Sequence, residues 1–465
     1  MQRTLGEFAH ACGGRLEGAD RPYSGVSTDS RTLRAAELFV ALKGPHFDGH
    51  EFLTVAEKAG AAGAVVEGFR EIPLAQIVVP NTGAALAHGA RRWRAQFAIP
   101  LIGVAGSNGK TTVKEMIAAI LARAGACLAT QGNLNNHIGV PLTLLRLEPA
   151  HRFAVVEMGA NRAGEVAALA AIAAPTIGLI TNAGAEHLEG FGSLEGAARA
   201  EGEMVASLAP DGVAILNADD PFASLWRTLT RARVITFGLS AAADFRARDV
   251  GAEIIAGEFR TRFTLECGPG GRAAIELRLA GRHNVANALA AAAAASAAGA
   301  SLEHVRAGLG IVRPVAGRLQ LKPLRGGGWL IDDSYNANPS SVRAGIEVLA
   351  ELEGRKWLVL GDMAELGAFA RSSHTEIGAF ARERGIERLF ATGELARLAA
   401  ESFGEHAEWH EDTDSLARAL VRAVTPEARL LIKGSRVNRL ERVVAALVAP
   451  GEHPGAASAA ARRGH

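Results

Sequence analysis

The chain has 465 residues, with 50 Lys and Arg against 49 Asp and Glu, a formal net charge of +1 and three cysteines. The near-neutral charge removes the electrostatic reason to expect broad binding to nucleic acid or to an anionic membrane. The cysteines are far apart and odd in number, which excludes a Cys-x-x-Cys metal or redox site and fits a reducing cytoplasm, while the length predicts about two to four domains.

The first block covers residues 1–98. Its N-terminal stretch has no basic start followed by a continuous apolar run, so we expect no signal peptide and a cytoplasmic protein. Short strand-like and helical segments follow and end in a polar, basic helix, ALAHGARRWRAQFA. We predict a small α/β domain for this block.

The second block, residues 99–312, alternates apolar runs with helical stretches. The runs are LIGVAG, FAVVEMG, TIGLITNAG, VAILNADD and ARVITFG. This alternation predicts a parallel sheet with helices on both faces. The alanine-rich run ANALAAAAAASAAGA is too short to span a bilayer, so we expect a helix packed closely on the sheet.

The third block follows a segment near residues 308–315 that has the composition of a linker. A further α/β series in WLIDDSYN, KWLVLGDM, RLFATG and RLLIKGSR predicts another sheet domain over residues 313–450. Residues 451–465 are rich in Ala, Gly and Arg, and we expect a disordered tail there. The sequence shows no long exposed apolar heptad seam, so we expect a monomer.

A glycine-rich loop lies between a strand-like run and a helical pattern in VAGSNGKTTVKEM, residues 104–116. Backbone N–H groups of such a loop converge on phosphate, while Lys110 would add charge and Thr111 a hydroxyl for Mg²⁺. The strict Walker pattern is not met, because Val104 stands where its first glycine belongs. We predict nucleotide triphosphate binding, rather than a plain glycine turn, by Gly106, Ser107, Asn108, Gly109, Lys110, Thr111 and Thr112.

Two more polar residues follow strands of the second block. Glu157 ends the run FAVVE, and His187 comes soon after TIGLI. Open α/β sheets bind ligands at the carboxyl edge, so the pair predicts metal ligation there. The alternative for His187 is a structural hydrogen bond, since Mg²⁺ prefers oxygen ligands.

Eight motifs follow one another along nearly the whole chain: GSNGKTTVKE, NNHIGVPLTLL, VVEMGA, TNAGAEHLEGFGS, LNADD, GRHNVANALAA, AGRLQ and IDDSYNANPSS. In this order they resemble the motifs of the Mur ligases, which form amide bonds with ATP in peptidoglycan precursor synthesis. The segments STDSR, LFVALKGPHFDGHEF, LGDMAELG and LIKGSR look most like the member that joins D-alanyl-D-alanine to UDP-N-acetylmuramoyl-tripeptide. The resemblance implies an acyl-phosphate intermediate, with ATP and Mg²⁺ as cofactors.

The resemblance also implies three domains: an N-terminal one for the uridine nucleotide, a central P-loop one for ATP, and a C-terminal Rossmann-like one for the dipeptide. Lys110 would bridge phosphates, and Thr111, Glu157 and His187 would ligate two Mg²⁺ ions. Residues similar to those that meet adenine or link the C-terminal domain to the nucleotide are His283, Asn284, Asn287, Arg318 and Asp333. Helix capping and packing is the alternative for His283 and Asn287.

Substrate roles are implied in the same way. Asn135 and Asn136 lie where the family contacts phosphate or the acyl group. The uridine end would be bound by Ser27, Thr28, Asp29, Ser30, Arg31, Lys43, His46 and Phe47, with a surface turn as the alternative. The dipeptide would be bound by Asn336, Asn338, Ser341, Lys433, Ser435 and Arg436, with a solvated turn as the alternative at KGSR.

Glu201 departs from the family pattern. The family usually carries a lysine modified to a carbamate in the segment A-K-G-E, whereas this chain reads RAEGEMV. Both side chains end in an anion, so we expect Glu201 to substitute for the carbamate, directly or through a water, and to belong to the catalytic set. A solvated helix residue is the alternative.

Other readings of the sequence remain. The ligase that adds the third peptide residue and folylpolyglutamate synthetase are related alternatives, but the C-terminal block has no DNPR-type stretch and the N-terminal block would be an unneeded extra domain. A guanine-binding switch needs an N-K-x-D stretch, which is missing from the sequence. A catalytically dead nucleotide-binding scaffold is the remaining alternative.

Overall fold

The computed structural model describes residues 3–240, 242–268 and 270–448. The tail expected over residues 451–465 lies outside these ranges. Within them, three larger sheets follow one another along the chain, with five, nine and six strands, and a two-stranded sheet pairs β1 with β3 near the N-terminus. None of the helices in these ranges is long and apolar enough to cross a membrane.

The N-terminal elements build a mixed five-stranded sheet in the order β2-β7-β6-β5-β4, in which only the β2–β7 pair is antiparallel. The first helix starts at a capping box between Thr4 and Glu7 and ends at Gly13 in the left-handed conformation. The elements are β1 (Arg3–Thr4), α1 (Leu5–Cys12), β2 (Arg15–Glu17), β3 (Pro22–Tyr23), β4 (Val26–Ser27), β5 (Leu38–Val40), a 3₁₀ turn (Gly49–Phe52), α2 (Leu53–Lys58), β6 (Gly63–Val66), β7 (Gln76–Val78) and α3 (Thr82–Arg94).

The central elements build the nine-stranded sheet in the order β16-β15-β14-β13-β12-β11-β8-β10-β9. Strands β8 to β14 pair in parallel with one another, and the β14–β15 and β15–β16 pairs are antiparallel. The elements are β8 (Leu101–Ala105), α4 (Lys110–Leu121), β9 (Cys127–Ala129), α5 (Gly139–Leu144), β10 (Phe153–Glu157), α6 (Glu165–Ala173), β11 (Ile177–Ile180), α7 (Leu188–Phe191), α8 (Leu194–Ala206), β12 (Val213–Asn217), α9 (Ala223–Leu229), β13 (Arg233–Gly238), β14 (Phe245–Ile255), β15 (Glu258–Cys267), β16 (Gly271–Leu277), α10 (Arg282–Ala297) and α11 (Leu302–Leu309).

The C-terminal elements build the six-stranded sheet in the order β17-β18-β22-β19-β20-β21, parallel except for the β17–β18 pair. The elements are β17 (Gln320–Pro323), β18 (Trp329–Asp333), α12 (Pro339–Ala350), β19 (Arg355–Gly361), a 3₁₀ turn (Gly367–Phe369), α13 (Ala370–Glu383), β20 (Arg388–Thr392), α14 (Ala396–Phe403), β21 (Ala407–His410), α15 (Thr413–Ala423), β22 (Ala428–Lys433), a 3₁₀ turn (Arg436–Asn438) and α16 (Glu441–Leu447).

The α/β class and the parallel central strands are confirmed. The alanine-rich run forms helix α10, which is buried along most of its length in the core beneath the sheet. Alanine side chains are short, so this helix approaches its neighbours closely on every side.

Two expectations need correction. The central sheet is not purely parallel, because residues 245–277 add three strands of which the last two run antiparallel. Helix α11 continues through Leu309, so the predicted linker starts after residue 309 rather than at Gly308.

Candidate active site

A cleft of about 920 Å³ lies where the carboxyl ends of the central strands face the C-terminal sheet. The central part supplies the glycine-rich loop after β8, the end of β10 and the segment after β11. The C-terminal part supplies residues around Arg318, Asp333, Asn338 and Arg436. This position follows the general rule that open α/β sheets bind ligands at the carboxyl edge.

The glycine-rich loop has the conformation that phosphate binding needs. Gly106 and Gly109 have φ angles of 119° and 85°, which are left-handed values that favour glycine. A Cβ on Gly106 would clash with the hydroxyl of Thr181. Helix α4 begins directly after the loop, at Lys110, so its N-terminal N–H groups face the cleft.

Lys110 reaches back over the loop. Its ammonium donates to the carbonyl oxygens of Gly106 and Ser107 and, at 3.2 Å, to Oε1 of Glu186. Burial lowers the pKa of Lys110, but the carboxylates of Glu186, Glu201 and Glu157 outweigh burial and hold the pKa above its ordinary value. Lys110 is therefore a largely buried cation in this cleft.

Glu157 ends β10 beneath the start of α4. Its Oε1 accepts from Asn135 Nδ2 at 2.9 Å and from the Thr111 hydroxyl at 3.2 Å. Its Oε2 is buried and has no hydrogen-bond partner in the structure. A buried carboxylate oxygen without a donor is costly, so this atom fits a cation ligand.

His187 stands in the left-handed conformation at the start of α7, with φ 49°. Its Nδ1 pairs with the carboxylate of Glu365 from the C-terminal block. The described residues contain no group of three or more His, Cys, Asp and Glu side chains arranged to hold a metal ion. A metal here would thus need phosphate or water oxygens beside the protein ligands.

Glu201 lies behind the glycine-rich loop, on α8, and does not line the cleft. Its Oε2 accepts from the backbone N–H of Gly106 at 2.6 Å. Burial raises the pKa of Glu201 to about 7, against the opposing effect of Lys110. Glu201 therefore fixes the backbone of the loop by a hydrogen bond on the side away from the cleft.

Arg318 and Asp333 both come from the C-terminal block and line the cleft. Arg318 donates to the Thr111 hydroxyl at 3.3 Å and lies over the ring of Tyr335. Asp333 accepts from the ammonium of Lys433, its cross-strand partner, and from the Leu319 N–H at 3.1 Å. Burial raises the pKa of Asp333, and Lys433 opposes this shift. The charge of Lys433 is therefore already paired in this structure.

The start of α12 contacts the glycine-rich loop directly. Asn338 Nδ2 donates to Asn108 Oδ1 at 2.8 Å and to Glu186 Oε2 at 3.3 Å, while Asn108 Nδ2 donates to Ser340 Oγ at 3.0 Å. The glycine-rich loop and the C-terminal block are therefore joined by side-chain amides across the cleft.

The segment at the start of α10 closes another side of the cleft. Asn287 packs against the loop, because a Cβ on Gly109 would lie 2.5 Å from its Oδ1. Asn287 Nδ2 donates to Asn284 Oδ1 at 3.1 Å, and Asn284 Nδ2 donates to the Ala280 carbonyl. Burial, with a smaller effect of Lys433, lowers the pKa of His283 to about 4.

Most of the predicted site residues of the central and C-terminal blocks line this one cleft. Gly106, Glu201 and Ser435 do not; Ser435 Oγ donates to the Ala337 carbonyl at 3.3 Å. Asn136 lines the cleft, and its Oδ1 accepts from the Gly139 N–H at 2.9 Å. The further predicted residues that line the cleft are Ser107, Thr112, Asn135, Asn336, Ser341 and Arg436.

The predicted N-terminal set lies away from the cleft. Its best-defined contact joins Asp29 to Arg31, whose guanidinium lowers the pKa of Asp29 to about 2. Phe47 is 56% exposed, which leaves an aromatic surface open to solvent. The other predicted members are Ser27, Thr28, Ser30, Lys43 and His46, and their role stays a prediction.

Sequence reasoning missed several polar residues of the cleft region, among them Glu186, Tyr335, Ser340 and Glu365. Tyr335 lies beneath two guanidinium groups, those of Arg318 and Arg436. Glu186 precedes His187 in the segment after β11, and that placement at a strand end was the available signal.

Comparison with known proteins decides the family. Residues 22–94 match the catalytic domain of the Mur ligase family, residues 104–295 the Mur ligase middle domain, and residues 317–436 the Mur ligase glutamate ligase domain. The UDP-N-acetylmuramoyl-tripeptide–D-alanyl-D-alanine ligase of Escherichia coli K12 is 42% identical over 447 residues, which cover 96% of this chain and 98% of that one. The chain belongs to the Mur ligase family. It is therefore an enzyme of the ligase class.

Solved Mur ligase structures agree. A crystal structure of MurF from Acinetobacter baumannii superposes with a TM-score of 0.89 at 34% identity, covering 96% of this chain and 98% of that one. MurF of Thermotoga maritima in complex with ADP gives a TM-score of 0.79 at 26% identity, covering 91% and 96%. The expected Mur ligase resemblance is confirmed.

Proposed function

We propose that this chain joins D-alanyl-D-alanine to UDP-N-acetylmuramoyl-tripeptide, using ATP and releasing ADP and phosphate. The observation that carries the proposal is the cleft in which Lys110 and Thr111 of the phosphate-binding loop meet Arg318 and Asn338 of the C-terminal block. The E. coli relative that carries the name of this activity matches almost end to end, which supports the same substrates.

The three blocks divide the substrates in this proposal. Residues 1–98 bind the uridine nucleotide, residues 99–312 bind ATP, and residues 313–450 bind the dipeptide. The separate sheet in each block supports this division. The enzyme acts as a monomer.

Mg²⁺ fits the donor set beside the loop, because Glu157 has an orphaned buried oxygen and the Thr111 hydroxyl lies next to it. These two residues would hold the ion, with His187 as a further ligand once its bond to Glu365 opens. The ion supplies neutralisation of phosphate charge.

The chemistry proceeds by activation of a carboxylate. A carboxylate is a poor electrophile, so the terminal carboxylate of the tripeptide first attacks the γ-phosphorus of ATP and ADP leaves. The dipeptide amine then attacks the acyl carbon of the acyl phosphate, and inorganic phosphate leaves. The buried ammonium of Lys110 offsets the charge that moves onto the leaving ADP.

The C-terminal side binds and positions the second substrate. Arg436 lines the cleft and offers a planar guanidinium for the dipeptide carboxylate. Asn336 and Ser341 line the same region. Lys433 acts through Asp333, which it holds by an ion pair.

The test follows phosphate release and product mass with ATP, Mg²⁺ and UDP-N-acetylmuramoyl-tripeptide, with and without D-alanyl-D-alanine. We expect release that requires the dipeptide, and a mass gain equal to the dipeptide less water. Turnover with diaminopimelate or lysine on the UDP-dipeptide instead would assign the chain to the ligase that adds the third residue.

A further inference from the structure

Glu186 is the carboxylate that links the phosphate-binding loop to the C-terminal block. Its Oε1 accepts from Lys110 Nζ at 3.2 Å and its Oε2 from Asn338 Nδ2 at 3.3 Å. The side chain is 11% exposed and lines the cleft. The proposed chemistry gives it no part.

The other acidic residues of the cleft are committed elsewhere. Four carboxylates line the cleft in the described part of the chain. Asp333 is held in a buried ion pair, Glu157 is the proposed ligand of Mg²⁺ through its unpartnered Oε2, and Glu115 is half-exposed on α4. Glu186 is therefore the carboxylate placed between the phosphate site and the C-terminal block.

Triphosphate binding changes the partner of Glu186. Lys110 has three N–H donors, and two of them bond to loop carbonyls while the third bonds to Glu186. The lysine of such a loop bonds to the outer phosphates of ATP. Two of its donors stay on the loop carbonyls, so the donor that now bonds to Glu186 is the one that turns to phosphate. Glu186 is then a nearly buried anion without its cation, which is a costly state.

We infer that Glu186 binds the ammonium group of the incoming dipeptide and orients its amine, an inference that rests on the proposed function. The dipeptide is a zwitterion, and Arg436 in the same cleft suits its carboxylate. Glu186 supplies the matching negative charge for the other end. Asn338 holds Oε2, which leaves Oε1 for the ammonium once Lys110 has turned to phosphate.

The experiment compares D-alanyl-D-alanine with propionyl-D-alanine, in which hydrogen replaces the ammonium group. KM for the dipeptide and the inhibition constant of propionyl-D-alanine are measured for the wild type and Glu186→Gln at saturating ATP and tripeptide. We expect Glu186→Gln to raise KM for the dipeptide about tenfold or more, because a charge-assisted bond is lost. The inhibition constant of the analogue should stay unchanged.

The matched control is Glu189→Gln, an exposed carboxylate three residues further on, which should leave both constants unchanged. Glu186→Asp keeps the charge and should show a smaller rise in KM, and it serves if the Gln variant fails to fold. Equal losses for dipeptide and analogue would overturn the inference. So would a change confined to KM for ATP or to the Mg²⁺ requirement.

Failure of the proposed function looks different. A wild-type enzyme that releases no phosphate in response to the dipeptide would overturn the proposed function itself. A wild type that ligates the dipeptide, with a Glu186→Gln variant that keeps its preference for the ammonium form, would overturn only the role of Glu186.

Discussion

At the scale of single residues, Glu201 places a carboxyl group behind the glycine-rich loop rather than in the cleft. Its Oε2 accepts a hydrogen bond from the Gly106 N–H at 2.6 Å, which fixes the loop backbone. The expected replacement of a metal-binding carbamate therefore has a different geometry in this structure. In this structure Glu201 contacts the backbone of the loop and not the cleft.

The pH dependence of stability should reveal the burial of Glu201. Its pKa is raised from an ordinary 4.5 to about 7, so the folded state holds the proton more tightly than the unfolded state. This contribution to stability is fully present below pH 4.5 and is lost as the pH rises through about 7. The Gln side chain of Glu201→Gln does not titrate. As the pH rises through this window, the free energy of unfolding of the variant should therefore increase relative to that of the wild type, by on the order of 3 kcal/mol.

Urea unfolding at a series of pH values measures this difference. Glu195→Gln, an exposed position on the same helix, is the control and should show no such trend. A difference between Glu201→Gln and the wild type that stays constant with pH would contradict the assignment of a buried titrating carboxyl.

At the scale of elements, the start of α12 serves two purposes through one side chain. Asn338 Oδ1 caps the helix by accepting from the Ser341 N–H at 2.9 Å, while its Nδ2 reaches the loop residue Asn108. The helix cap and the contact across the cleft thus come from opposite ends of the same amide.

Two substitutions separate these purposes. Asn338→Ser keeps an N-cap acceptor but is too short to reach Asn108, so stability should stay near wild type while activity falls. Asn338→Ala removes both and should also cost about 1 kcal/mol of stability. Thermal unfolding and steady-state rates measure the two effects. Equal stability losses for Ser and Ala would show that the cap is not the source of the difference.

Sequence patterns predicted the elements that are determined by residues close together in the chain. The loop at Gly106 and Gly109 and the buried strands β8 and β10 follow from glycine freedom and from continuous apolar runs. The strands over residues 245–277 were missed, because charged residues interrupt their apolar pattern. Their arginines and glutamates pair across neighbouring strands, as Arg260 does with Glu276, and such pairs form only once the register is set.

The candidate site likewise contains residues that local sequence patterns predict and residues whose contacts depend on distant parts of the chain. Lys110 and Glu157 could be found from a loop and a strand end. Glu186 and Tyr335 could not be assigned a contact, because their partners lie far away in the chain: Asn338 is 152 residues from Glu186. Contacts of this kind depend on how the blocks pack.

At the scale of the whole molecule, Arg94 links the N-terminal block to the central block by hydrogen bonds. Its guanidinium is buried at the end of α3 and donates to the carbonyls of Ala173 at 3.1 Å and Ile99 at 3.3 Å. The neighbouring Trp93 donates to the Leu147 carbonyl at 3.0 Å. The bond to Ala173 satisfies the last carbonyl of α6 from another block.

Arg94→Ala should therefore destabilise the protein by about 2 to 4 kcal/mol, since several buried carbonyls lose their donor. Arg91→Ala, exposed on the same helix, is the matched control and should change stability by less than about 0.5 kcal/mol. Denaturant unfolding measures both. Similar values for the two variants would contradict a fastening role for Arg94.

The amide contact between Asn108 and Asn338 has a thermodynamic consequence. In the proposed function, Asn108 belongs to the loop that binds phosphate and Asn338 belongs to the block that binds the second substrate. If the dipeptide strengthens this contact and thereby raises the affinity for nucleotide by some factor, the nucleotide must raise the affinity for the dipeptide by the same factor. The reason is that linkage between two binding equilibria is reciprocal. The affinity for nucleotide, measured with and without the dipeptide, therefore reports how strongly the two halves of the enzyme are coupled.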